Sequence, residues 1–167
     1  MKVFDRAYQF YDGLPTWGKA VAVIGGAGIA WFGVLNPLRK LIISKLDQAK
    51  MAKEGQKAGD ELSKLKKQGV NPTISPAQAE SFSNSLVSAF AGCGTDEDAI
   101  YNIMKQLKNN ADVYLLISTY GIRKYDGCMW GTTEKSLSGA ISDELDWLEK
   151  MAVNKILEGN KVSFQFT

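Results

Sequence analysis

The residues of this chain that could perform chemistry are few, and their spacing fits no catalytic plan. The sequence holds no histidine, which removes the commonest general base and the commonest metal ligand. Cys93 and Cys128 are its two cysteines. Without CxxC spacing they make no zinc site, and they read as small buried or half-buried residues rather than as a disulfide. The acids Asp96, Glu97 and Asp98 sit where a helix begins, and capping accounts for them. No nucleophile elbow or phosphate loop occurs. The stretch VAVIGGAG looks like a strand entering a glycine turn. A dinucleotide loop starting at Gly26 and Gly28 would need Gly or Ala at 31, where Trp31 stands, and no βαβ pattern follows. A net charge of +2 over 167 residues argues against nucleic acid as the main partner. The expectation is a protein that is not an enzyme.

The elements that would position any site divide the chain unevenly. Its composition, 45% apolar and 23% charged, averages over a strong asymmetry. Residues 20–35, AVAVIGGAGIAWFGVL, carry no charge, whereas residues 39–67 are rich in lysine. Sixteen helical residues span about 24 Å; extended back to Pro15, with Lys19 snorkelling to the headgroups, the segment reaches roughly 32 Å. Pro15 suits a first helical turn, and Trp17 sits where an interfacial belt would be. Residues 15–35 are therefore expected to form a transmembrane helix, with a buried core helix as the alternative. A cleaved signal peptide would need a small-x-small site after the apolar run, and GVLNPLRK supplies none. Ala22, Gly26 and Ala30 fall four apart, a stripe along which a second copy could pack, so a homo-oligomer through this helix is one expected partnership.

Residues 1–14 place Phe4, Tyr8 and Tyr11 on one helical face and read as an interfacial amphipathic segment. The flank before the apolar run is net +1, and residues 36–68 are net +5. The positive-inside rule then puts the N-terminus outside and the C-terminal domain on the cytoplasmic or interior side. Residues 36–74 read as a connector. Pro37 should kink or restart the helix; Leu38, Leu41, Ile42 and Leu46 continue at helical spacing among basic residues. From Lys50 to Gln68, Gly55 and Gly59 each cost about 1 kcal/mol of helix stability, so a loose helix or a flexible tether is expected there. Gly69-Val70-Asn71-Pro72 closes it.

Residues 75–167 read as an all-α domain with a short C-terminal tail. Ser75-Pro76 is a helix start, and Phe82, Leu86 and Phe90 line one face behind it. Thr95 is expected to cap a second helix bearing Ile100, Ile103, Met104 and Leu107. Val113, Leu116, Ile117 and Tyr120 mark a third helix, followed by an irregular loop from Gly121 to Thr133. Leu137, Ile141 and Leu145 mark a fourth; Leu148, Met151, Ala152 and Ile156 mark a fifth. In the tail, Val162, Phe164 and Phe166 alternate. They could add as a strand to a partner's sheet or fold back on the domain.

The order of five helices, the turn AGCGTDEDAIYNIM, the segment NNADVYLLISTYG and the ending SDELDWLEKMAVNKIL together resemble an annexin repeat. The resemblance covers roughly residues 76–157, a single repeat. It implies a calcium site made from the carbonyls of Ala91, Gly92 and Gly94 with a downstream carboxylate, oxygen-only ligation of the kind a hard cation needs. Glu144 is that carboxylate if SDEL is aligned, with extra residues accommodated in the loop KYDGCMWGTT. Aligning Ser136-Leu137-Ser138-Gly139 instead keeps the family's spacing and replaces the acid with serine.

The functional expectation is a non-enzymatic single-pass membrane protein serving as a structural or docking component of a bacterial envelope or a lipid-containing virion. Its partners would be the lipid bilayer and a protein partner or second copy, with no nucleic acid. Calcium-dependent phospholipid binding is the alternative that the annexin resemblance implies.

Overall fold

The computed structural model describes residues 36–127 and 131–167. The chain divides into two compact units, Met1–Asp47 and Gln48–Thr167. Of the first, only backbone from Asn36 onward is described, as the opening turns of helix α1, Asn36–Lys67. The second unit contains the rest of α1, helices α2 (Pro76–Phe90), α3 (Glu97–Met104) and α4 (Asn110–Tyr120), strands β1 (Ile122–Gly127) and β2 (Gly131–Ser136), and helices α5 (Leu137–Glu144) and α6 (Trp147–Gly159).

Local chemistry sets most of these boundaries. Ser75 Oγ accepts from the Gln78 amide at 3.2 Å while Gln78 Oε1 accepts from the Ser75 amide at 2.8 Å, with Pro76 in the first turn. That capping box satisfies amides a helix start would otherwise leave unpaired. The same device opens α6 between Asp146 and Glu149. Asn109 caps α4 and Ser136 caps α5. Asp96, not Thr95, caps α3, accepting from the Ala99 amide at 2.9 Å. A carboxylate at that position also meets the positive end of the helix dipole, which leaves the Thr95 hydroxyl for another partner.

Helix α1 runs unbroken to Lys67 through Gly55 and Gly59, where a loose segment was expected. Packing overrides the glycine cost: Ala58 and Leu62 are buried, the Ser138 amide donates to Glu54 Oε1, and the Ser136 amide points at the Met51 sulfur. Gly69, at φ 83°, then turns the chain out of the helix, with the Val70 amide reaching back to the Leu65 carbonyl at 2.9 Å.

The core lies where α2 to α6 converge, with Leu86, Phe90, Met104, Leu116, Tyr120 and Ile141 fully buried. The tail folds back onto it. Asn154 holds the Phe166 main chain by two bonds of 2.8 Å, and Asn110 Oδ1 accepts from the Ser163 and Phe164 amides. Asn160 Nδ2 donates to the carbonyls of Met104, Lys105 and Leu107, closing the end of α3.

Four further expectations are corrected. The domain is not all-α: the loop read as irregular contains an antiparallel hairpin, with Ile122 opposite Ser136 and Gly127 opposite Gly131. No helix among the described residues is long and apolar enough to cross a membrane, so a transmembrane helix is not part of the described fold. The segments 1–14 and 15–35, and with them the Ala22, Gly26, Ala30 stripe, lie outside the described residues. Helix α6 buries Val153 and Leu157, packs Ile156 of the expected face against the core, and leaves Leu148 and Met151 of that face exposed. Cys93, finally, is disulfide-bonded, where unpaired thiols were expected.

Candidate functional site

The residues marked by the calcium resemblance meet at one corner of the unit. Ala91 ends α2 with its amide donating to the Ser88 carbonyl. Gly92 and Gly94 then take φ of 97° and 112°, a region in which a side chain would be strained. The turn is pinned by main-chain bonds: the Gly92 amide donates to the Asp126 carbonyl at 2.7 Å and the Asp96 amide to the Ala89 carbonyl at 3.0 Å. Gly92 also bridges to Gly127 beside the hairpin.

Glu144 lies at this corner. The Thr95 hydroxyl donates to the Glu144 carbonyl at 3.3 Å, and the Tyr125 hydroxyl donates to Glu144 Oε1 at 3.1 Å. Helix α5 follows the hairpin directly, and its last residue, Glu144, ends beside Thr95 and Tyr125. Ser138 faces α1, its amide bound to Glu54. Burial pushes the Tyr125 hydroxyl well above its ordinary pKa, reinforced by the Glu144 charge and the hydrogen bond to it, so the phenol stays a neutral donor.

This donor set serves the protein's own groups. One Glu144 oxygen is committed to Tyr125, and the Asp96 carboxylate is committed to the α3 amide. Among the described residues no three acidic, histidine or cysteine side chains come together. A calcium ion takes about six to eight oxygens. The corner fits a structural junction of turn, hairpin and helix better than it fits a resident cation.

Two other surfaces stand out, and neither was found from the sequence. On α6, Trp147, Leu148 and Met151 are 65%, 58% and 55% exposed. Beside them lies an open depression of about 540 Å³ reaching Lys155 and Glu158. Large apolar side chains gathered on one exposed side mark an interaction surface. The second is a groove of about 480 Å³ between α1 and the body of the unit, described below.

Two buried polar groups, Asp112 and the Tyr120 hydroxyl, differ in how they are satisfied. Asp112 is fully buried and accepts from four donors: the Thr73 amide at 2.5 Å and hydroxyl at 2.8 Å, the Ile74 amide at 3.2 Å and the Lys108 amide at 2.7 Å. The only sequence signal for it was an acid in a helix's first turn. The Tyr120 hydroxyl is buried with no hydrogen-bond partner among the described residues, and burial pushes its pKa up to about 12, opposed by the Arg123 guanidinium.

No protein-family model matches the chain, and neither does any curated protein or any solved structure.

Proposed function

We propose that the protein is a non-enzymatic docking component that works at a membrane surface, with the exposed side of α6 meeting the lipid interface. The observation that carries this reading is the exposure of Trp147, Leu148 and Met151 on one side of a helix whose opposite side is buried through Val153 and Leu157. Tryptophan is enriched at membrane interfaces because its ring is apolar and its N–H is polar. A helix that presents such side chains without spanning can lie in the interface. Exposed Lys155, beside Leu148 and Met151, adds attraction to anionic headgroups.

The test is quenching of tryptophan fluorescence by brominated phospholipid in vesicles containing phosphatidylserine, using the full chain. Trp147→Phe identifies the contribution of Trp147 by subtraction from the chain's four tryptophans. Quenching of that component supports the reading. A Trp147 signal indifferent to the brominated lipid while the protein is vesicle-bound would place this face elsewhere and sink it.

Calcium-dependent lipid binding is the second reading, favoured by the meeting of Glu144 with the glycine turn through Thr95. The bonds that Tyr125 and the α3 amide already make to the available carboxylates weigh against it.

A further inference from the structure

The groove along α1 combines three lysines with an apolar floor. Lys50, Lys53 and Lys57 line it at helical spacing and are exposed. The floor is the buried pair Ala58 and Ile117 together with Tyr114 and Phe164. Those two rings meet edge to face at 5.7 Å and 85°, which gives the wall a fixed shape. The tail is what closes it, since Asn110 holds the Phe164 main chain at 3.1 Å.

The charges of the groove are unevenly satisfied. Of its two acids, Glu54 accepts from the Ser138 amide and Glu61 accepts from Lys64 at 2.6 Å. None of the three lysines makes an ion pair among the described residues. A cavity of about 480 Å³ lies within the roughly 300–1,000 Å³ usual for small-molecule sites. An inorganic anion would leave the apolar floor wet, and an uncharged lipid would leave the ammonium groups unused. One ligand class uses both: a chain of methylenes ending in a negative charge.

We propose that this groove binds a single-chain anionic amphiphile of the fatty-carboxylate class, with its carboxylate among Lys50, Lys53 and Lys57 and its chain against Ala58, Tyr114, Ile117 and Phe164. The site is separate from the exposed side of α6 and does not depend on the vesicle reading.

Calorimetric titration of the full chain with dodecanoate, below its critical micelle concentration, tests it. Dodecanol serves as the uncharged probe, acetate as the tailless one and poly-glutamate as the acidic polymer. Saturable one-to-one binding of dodecanoate is expected, with dodecanol and acetate each weaker by roughly tenfold or more. The triple variant Lys50→Ala/Lys53→Ala/Lys57→Ala, altered only at exposed positions, should keep its circular dichroism spectrum and lose about tenfold in dodecanoate affinity. A second variant, Phe164→Ala, should weaken dodecanoate and leave acetate unchanged. Equal binding of dodecanoate and dodecanol, unchanged affinity in the triple variant, absence of saturable binding, or poly-glutamate binding that excludes dodecanoate would each overturn the proposal. Because the probe is a monomeric amphiphile and the readout is calorimetric, failure here leaves the Trp147 quenching result standing on its own, and the converse also holds.

Discussion

The Tyr125 hydroxyl donates to Glu144 Oε1 across 3.1 Å, tying the inward-facing residue of the hairpin to the last residue of α5. Tyr125 is 3% exposed, so its phenol is an internal strut. Phe in its place should cost about 1 kcal/mol, read as a lowered urea midpoint, because it leaves one Glu144 oxygen without its donor. Since that oxygen is engaged with the protein, millimolar calcium should leave Tm unchanged in the wild type. An ion that binds only the native state must raise stability, so a Tm that climbs with calcium would restore the cation reading.

Asp112 gathers four donors from the Thr73–Ile74 segment and from Lys108. Asp112→Ala should destabilise the unit by about 1–3 kcal/mol, because the buried Ile74 amide loses its acceptor and the Thr73 and Lys108 groups must turn to water. Asp112→Asn should recover part of that loss. Equilibrium unfolding of the two variants measures the difference.

Tyr120 should make the fold sensitive to alkali. Its pKa, ordinarily 10.0, is raised to about 12 in the folded state, so the native protein keeps the phenolic proton after the unfolded chain has released it. Its contribution to stability is therefore complete below pH 10 and declines as pH rises toward 12. Tyr120→Phe should flatten that decline. It should also hold or raise stability at neutral pH, because the hydroxyl it removes has no partner among the described residues. Thermal melts between neutral and alkaline pH give both comparisons.

Cys93 sits between two glycines in the turn that follows α2 and is disulfide-bonded. Cys93→Ser, or reduction of the wild type, should lower stability by about 2–4 kcal/mol through the freedom returned to the unfolded chain. A reductant titration followed by denaturant unfolding checks it.

How much of this was legible depended on how local each cause is. The start of α2 could be read because Ser75, Pro76 and Gln78 carry the whole capping box within four positions. The burial of α6 could not. Trp147, Leu148 and Met151 on one side and Val153, Ile156 and Leu157 on the other offer two apolar stripes, and only the neighbours decide which turns inward. The hairpin was hidden because β1 sends one buried side chain, Tyr125, into the core, so strand alternation never rises above a loop's background. The continuity of α1 across Gly55 and Gly59 rests on partners more than eighty residues away, such as Ser138 for Glu54. The disulfide depends on approach in space, which the spacing of two cysteines does not encode. At the candidate site, Gly92, Gly94 and Glu144 were named from the sequence; the bonds of Tyr125 and Asp96 that occupy the acids were not.

The returning tail has a consequence for the order in which the unit can be completed. Val162 and Phe166 are buried; Asn110 holds the Ser163 and Phe164 amides between them and Asn154 holds Phe166, from two different helices. During synthesis the earlier helices can form as they emerge, but their shared interior stays open until residues 162–166 have cleared the ribosome. A nascent chain stalled before that point would expose the groove wall and the helix seams together, in the state most prone to aggregate or be degraded.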